Sequence, residues 1–312
     1  MAEPGPTVLV VGNCQAGPLA WTMRAMVPSI RFLQTVTVQN LPEARREQTL
    51  EDVRRADIVF SQLVRDDYPT DFVRTSTIER EARGQVVKWV NMFWSGETPE
   101  LAYKRKLDAA VTFPLSLYHS ETILEAYLEG APVAEALRRL ADPDWNAERY
   151  GHIPEESLEE LRDRERSADV AITDRIDALR RHRRLFNVFN HPTMVLIEAY
   201  AARLLRAVGL HARVRLDDGQ MDEPLNQFIA PLNPASDLAR ARRAAGFENF
   251  RTYRSRRTTP DGTKRAWVFG ENGMVTQSYL AYDRIGRDAV REAAREPERG
   301  LRTSWRRAVG SR

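Results

Sequence analysis

Short apolar runs, often β-branched, alternate along the first ninety positions with stretches whose apolar residues recur three and four apart. Thr7–Val11 (TVLVV) is continuous and apolar, the pattern of a strand buried on both faces of a parallel sheet. Gly12-Asn13 breaks it. From Gln15 to Val27 the spacing of Leu19, Met23, Met26 and Val27 predicts a helix that Pro28 stops. Arg31–Val38 reads as a second strand, Leu50–Arg55 as a short helix, and Asp57–Phe60 as a third strand running into Ser61-Gln62. A helix over Asp71–Arg83, with Thr70 or Asp71 as N-cap, and a fourth strand at Val86–Val90 ending at Asn91 complete the series. This alternation predicts an α/β fold: an open, mostly parallel sheet flanked by helices, of the SGNH or Rossmann-like kind.

The texture changes between about 115 and 184. Ser120–Glu129, Pro132–Leu140, Glu155–Arg166 and Ala168–Arg184 read as helices, several strongly charged, and suggest a helical insertion into a single α/β domain of residues 5–290. The sheet is expected to resume at Leu185–Phe189, followed by a helix from Thr193 to Val208 that Gly209 ends. Further on, Asp237–Ala245 is helical. Arg251–Thr258 and Arg265–Phe269 suit a hairpin around Pro260-Asp261-Gly262. Arg287–Arg295 reads as a basic helix, and residues 291–312 as a basic tail, frayed over Arg299–Arg312.

Composition narrows the function classes. With 312 residues, 42% of them hydrophobic, the chain can bury a substantial core. A single cysteine excludes an internal disulfide and a paired-cysteine metal site, and the five histidines are scattered, so no metal is expected. The beginning MAEPGPT is unlike a signal peptide, and no run approaches the ~18 apolar residues of a membrane span. The cytoplasm is therefore the expected compartment. The net charge of +3 is too small for a dedicated nucleic-acid binder, so no nucleic-acid partner is expected, but it suits an anionic ligand.

Candidate chemistry collects at the predicted strand ends, where open parallel sheets bind ligands. Cys14 follows the first strand at the start of a helix, where main-chain N–H groups favour an anion and would lower a thiol's pKa. Gly12 permits the tight turn there. Asn13 and Gln15 add side-chain donors. A free cysteine can equally be a small buried hydrophobe. His191, in Asn190-His191-Pro192-Thr193, opens the late helix, where a helix N-terminus keeps the ring neutral; it is either a cap or a base acting on Cys14. Ser61, Gln62 and Asn91 end their strands as oxyanion donors, ligand contacts or ordinary loop residues, and Trp94, Ser95 and Gly96 can wall a pocket. Three basic runs, Arg180–Arg184, Arg240–Arg243 and Arg254–Arg257, read as solvated faces of which one can bind phosphates.

The GNCQ turn, the Ser-Gln after the third strand, Asn-Met-Phe-Trp-Ser-Gly after the fourth and the late NHPT, in this order over about residues 7–208, resemble the WcbI-type polysaccharide biosynthesis family. That resemblance implies acetyl transfer with coenzyme A as substrate and a carbohydrate acceptor, with Cys14, Gln15 and His191 in the active centre and Ser61, Gln62 and Asn91 beside it. The layout is also similar to SGNH hydrolases, but a cysteine stands where their serine would be and no acid stands three residues before His191. Three readings stay open: acyl transfer from coenzyme A to a sugar hydroxyl, an SGNH-like esterase or thioesterase, and a non-catalytic ligand-binding module. Oligomeric state is not legible.

Overall fold

Strand β1 (Thr7–Gly12) lies inside a parallel sheet because four successive residues, Val8 to Val11, tolerate no water contact on either face. The computed structural model describes residues 5–110, 112–212, 223–258 and 262–295. These form two compact units. The first comprises the chain up to Phe93, Leu161–Leu179 and Asn190–Leu225; the second comprises Trp94–Glu160, Arg180–Phe189 and the described residues from Asn226 on.

In the first unit, β1 is followed by α1 (Ala16–Met26), β2 (Arg31–Phe32), β3 (Val36–Thr37), α2 (Arg46–Arg55), β4 (Ile58–Gln62), α3 (Thr75–Glu81) and β5 (Gln85–Trp89). The sheet order is β2-β1-β4-β5, with β3 also on β1, and every pairing is parallel. The carboxyl ends of β1, β4 and β5 therefore share one edge. Leu9, Val11 and Val59 pack against Val53 of α2, Ala56 just beyond its end and Ile78 of α3. By strand alternation Val8 and Val10 face the other way. The α1 helix packs on the Met194–Ala207 helix. Each fully buried valine or leucine contributes about 1.5–3 kcal/mol relative to exposure.

The open parallel sheet flanked by helices is as expected, with local departures that have physical causes. The strand expected over 31–38 is broken in two. Val8 to Val11 spans three steps against four from Phe32 to Val36, so one extra residue bulges out. The helix expected over 71–83 starts as a 3-10 turn, Asp71–Val73, and restarts after Arg74, whose extended backbone (ψ 142°) interrupts it. The long helix expected over 168–184 shrinks to Thr173–Leu179, because the residues before it run along β5. Asp169 N–H donates to the Lys88 carbonyl at 2.9 Å, and Trp89 bridges to Val170. The helical stretch of 115–184 does not stay together: Leu161–Leu179 belongs to the first unit and the rest to the second. The Ile153–Glu165 helix itself begins in one unit and ends in the other.

The second unit contains an antiparallel pair, Leu101–Tyr103 with Tyr118–Ser120, and a three-stranded antiparallel sheet of Phe228–Ile229, Thr252–Thr258 and Lys264–Gly270. The last two are the expected hairpin. Its Pro260-Asp261 lies outside the described residues, as does the expected frayed end at 299–312. Helices Glu121–Glu129, Val133–Ala141 and Pro143–Tyr150 are set by clear signals. Ser120 caps the first, Gly130 ends it at φ +78°, and Asp142 accepts the N–H groups of Asp144 and Trp145 to start the third. No helix among the described residues is long and apolar enough to cross a membrane.

Candidate active site at the carboxyl edge of the parallel sheet

The turn leaving β1 is wound around Asn13. Its N–H donates to Gln62 Oε1 at 2.8 Å, its Oδ1 accepts the Gln15 N–H at 3.0 Å, and its carbonyl accepts the Ala16 N–H at 3.0 Å. Gly12 is required just before it, because a Cβ there would lie 2.4 Å from the Trp89 ring. Among the described residues these bonds leave the Gly17 N–H without an acceptor and the Cys14 N–H with none but its own sulfur, and Pro18 has none to offer. A Cβ on Gly17 would meet nothing within 4 Å, so this end of α1 faces open space.

Cys14 sits half-buried in that turn, two residues ahead of α1. Its thiol departs from the expectation for a helix N-terminus. Burial pushes its pKa up to about 11, and its own backbone N–H, acting the other way, does not compensate. The resting group is a neutral thiol.

Gln15 is fully buried, and its amide is committed. Nε2 donates to the Met92 carbonyl at 2.7 Å and the Asn190 carbonyl at 3.0 Å, while Oε1 accepts the Met92 N–H at 2.9 Å. The side chain expected to act on a reacting group instead ties the Cys14 turn to the exit of β5 and to the residue before His191. The sequence neighbours of Cys14 and His191 are thus hydrogen-bonded across 175 residues of chain.

His191 is buried in the short His191–Pro192 strand, and Thr193, not His191, is the N-cap of the helix that follows. Burial lowers its pKa to about 4 against the pull of a hydrogen bond with the Leu225 main chain. The ring is neutral as expected, but through desolvation. The helix N-terminus is occupied by Glu223, whose two oxygens accept the Met194 N–H at 3.2 Å.

Ser61 is buried with its Oγ on the Gln62 carbonyl at 3.3 Å, so it packs within its own strand. Gln62 spends Oε1 on Asn13, and its Nε2 has no acceptor among the described residues. Asn91 accepts Arg164 Nη1 on both its Oδ1 (2.9 Å) and its carbonyl (3.0 Å), and its Nδ2 likewise remains unspent among the described residues. Trp94, Ser95 and Gly96 belong to the second unit and are buried. There Trp94 Nε1 donates to the Pro154 carbonyl, Ser95 N–H to Ser157 Oγ, and Gly96 fits under the Trp94 ring.

The donors left over, Cys14 N–H, Gly17 N–H, Gln62 Nε2 and Asn91 Nδ2, lie at or just beyond the carboxyl ends of adjacent parallel strands. The family description Polysaccharide biosynthesis enzyme WcbI matches residues 7–213, two thirds of the chain. The chain belongs to the WcbI family of polysaccharide biosynthesis enzymes. A solved structure of WcbI superposes with a TM-score of 0.72 at 21% identity, covering 97% of this chain and 99% of its own. It is described as the native protein without a disulfide bond between coenzyme A and its Cys14. No curated protein matches the chain.

In this WcbI-family chain, two residues that hold the site, Arg164 and Tyr200, are not apparent from sequence. Arg164 is buried and clamps the β5 exit through Asn91 and the Phe93 carbonyl. Tyr200 accepts the Val90 N–H at 3.0 Å and donates to the Val170 carbonyl at 2.9 Å. Arg164 lies in a run of charges (RDRER) that reads as a solvated helix face, and Tyr200 lies in an apolar helical row; neither carries a local signal. Among the described residues no three metal-binding side chains gather.

Proposed function

We propose that this enzyme transfers an acyl group, acetyl, from coenzyme A to a hydroxyl of a sugar or polysaccharide precursor at the edge carrying Cys14 and His191. The observation that carries the reading is the set of unspent N–H donors around the Cys14 turn, joined through Gln15 to the segment of a neutral, buried histidine. Such donors suit the oxyanion of a tetrahedral intermediate. The coenzyme is supported by the solved WcbI, described by the absence of a disulfide to its Cys14.

His191 takes the proton of the acceptor hydroxyl as its oxygen attacks the thioester carbonyl. The oxyanion is held by Cys14 N–H and Gly17 N–H, with Gln62 Nε2 or Asn91 Nδ2. Collapse breaks the C–S bond, completes the ester, and returns the proton from the imidazolium to the coenzyme thiolate. An acyl-Cys14 route is the less supported one. Burial keeps the Cys14 thiol neutral at rest, with a pKa near 11, so little thiolate is present to attack the thioester. Cys14 is then a wall of the thioester site.

Calorimetric titration with coenzyme A and acetyl-CoA, followed by product analysis with sugar acceptors, tests the reading. Saturable binding and a sugar ester are expected. His191→Ala is expected to slow turnover about 10²- to 10⁴-fold, and Cys14→Ser to retain measurable transfer. Free acetate without ester would place the chain with the hydrolases, and no binding of either coenzyme form at millimolar concentration would remove the proposal.

A further inference from the structure

A cavity of about 540 Å³ within the second unit has no part in the acyl transfer proposed above. Three pieces build it: the hairpin of Thr252–Thr258 and Lys264–Gly270, the Glu271–Ile285 helix and the Phe113-Pro114 segment. Trp267 and Phe269 stand two apart on their strand and so share a face, and Ser255, paired with Trp267, joins them there. On the helix, Gly273, Gln277, Ala281 and Arg284 recur at helical spacing and form one stripe. Gly273 marks the narrow part, where a Cβ would come within 3.4 Å of the Phe269 Cβ. Phe113 is a fixed wall, its ring 4.3 Å from that of His119 and 5.2 Å from that of Tyr282.

The lining is lopsided in its chemistry. Most of it is carbon, and part of that carbon is bare: Trp267 is 43% exposed and Val268 67%. Large apolar side chains exposed together in a concave wall mark a binding site, and small-molecule sites typically enclose about 300–1,000 Å³. The one charge on the described lining is Arg284. Among the described residues its guanidinium makes no hydrogen bond or ion pair. The neighbouring Asp283 is engaged elsewhere, accepting the Tyr127 hydroxyl at 2.9 Å. A guanidinium at the end of an apolar wall complements an anionic head joined to an apolar body. Gly273 to Arg284 covers about 16 Å of helix, which gives such a body room to lie extended. Besides Arg284 only Thr112, Ser255 and Gln277 are polar, too few to satisfy the hydroxyls of a sugar ring. A second copy meeting this face symmetrically would set two Arg284 side chains against each other.

We propose that this cavity binds an amphiphile, its apolar chain laid along the Trp267, Phe269 and Phe113 rings and its single anionic head on Arg284. The inference goes beyond the acyl-transfer reading and does not depend on it. Carboxylates and phosphate monoesters share the head chemistry, and the probes tell them apart. Calorimetry on the full chain uses decanoate, decyl phosphate, decanol, acetate and glucuronate, below their micelle or solubility limits, against wild type, Arg284→Gln and Trp267→Ala.

Decanoate or decyl phosphate is expected to saturate one site, and the tighter of the two identifies the head. Decanol is expected to bind about tenfold more weakly, and acetate not at all. Arg284→Gln is expected to erase the preference for the anion over decanol, and Trp267→Ala to weaken both alike. Both side chains are exposed, and a lost preference, unlike lost binding, is not what a damaged fold produces. Decanol binding as tightly as either anion in wild type, an undiminished preference in Arg284→Gln, or no binding of either anion at millimolar concentration overturns the proposal. Saturation by glucuronate where the decyl anions are silent gives the cavity to a sugar acid and also overturns it. So does a dimer that excludes decanoate and that Trp267→Ala converts to a monomer, since the occupant is then a second copy.

Discussion

At the turn after β1 the buried polar side chain of Gln15 is fully bonded to main chain, whereas in the second unit Arg242 and Asn249 each keep one buried polar atom without a partner among the described residues. Gln15 makes three hydrogen bonds, all to backbone. Arg242 and Asn249 each leave a buried atom idle. The first arrangement holds a scaffold so that a few main-chain N–H groups stay aimed outward. Substitution should therefore cost much stability in the first region and little in the second.

The largest expected effect follows from Gln15→Ala, which strands two carbonyls and an N–H in the interior. At about 1–3 kcal/mol for each buried group left unsatisfied, a loss of several kcal/mol is expected in denaturant unfolding. A variant as stable as wild type but catalytically slow would return Gln15 to the chemistry and erase the contrast.

Acid sensitivity comes next. His191 has a folded-state pKa near 4 against an ordinary 6.5, so its neutral form stabilises the fold fully above pH 6.5. As pH falls from 6.5 toward 4 the unfolded chain takes up the proton first, and about 3 kcal/mol is lost. Glu97 in the second unit runs the other way. Burial raises it to about 7, so its contribution is full below 4.5 and fades as pH rises through 7. Comparing unfolding of wild type and His191→Gln between pH 4 and 7 isolates the histidine; parallel curves would contradict its burial as a neutral ring.

A smaller loss, about 1–3 kcal/mol, is expected for Gly12→Ala, whose methyl collides with the Trp89 ring. The subtlest effect is on Cys14 reactivity. With a thiol near pKa 11, alkylation by iodoacetamide should still be accelerating at pH 9–10. A plateau near pH 8 would mean that the thiolate is stabilised after all and would reopen the acyl-cysteine route.

Much of the parallel sheet is legible in the sequence because its signals are local. TVLVV is apolar at every position, and Gly12-Asn13 cannot continue it. The edge of the sheet was less readable, since the bulge between β2 and β3 and the docking of Asp169-Val170 on β5 depend on partners far along the chain. The Glu271–Ile285 helix is not legible in the sequence; Gly273 in its first turn and mixed polar residues weaken its period. At the site, residue types at strand ends pointed to Cys14, Asn13, Gln62, Asn91 and His191. Their states did not follow. The Cys14 expectation rested on the helix terminus alone, and desolvation, which only the folded surroundings set, dominates it. The role of Gln15 was likewise hidden, because Met92 and Asn190 lie 77 and 175 positions away.

The division of the Ile153–Glu165 helix between units reaches into how the polypeptide is made. The backbone passes from one unit to the other five times, so neither is a contiguous segment. No single cut liberates either one as an autonomous fragment. On the ribosome, the unit bearing Cys14 lacks its final elements until Leu225 has emerged, and its strands β1, β4 and β5 must wait, uncovered by the Met194–Ala207 helix, through the synthesis of about a hundred intervening residues. A nascent chain of this kind depends on chaperone shelter during that interval more than one whose halves close in sequence.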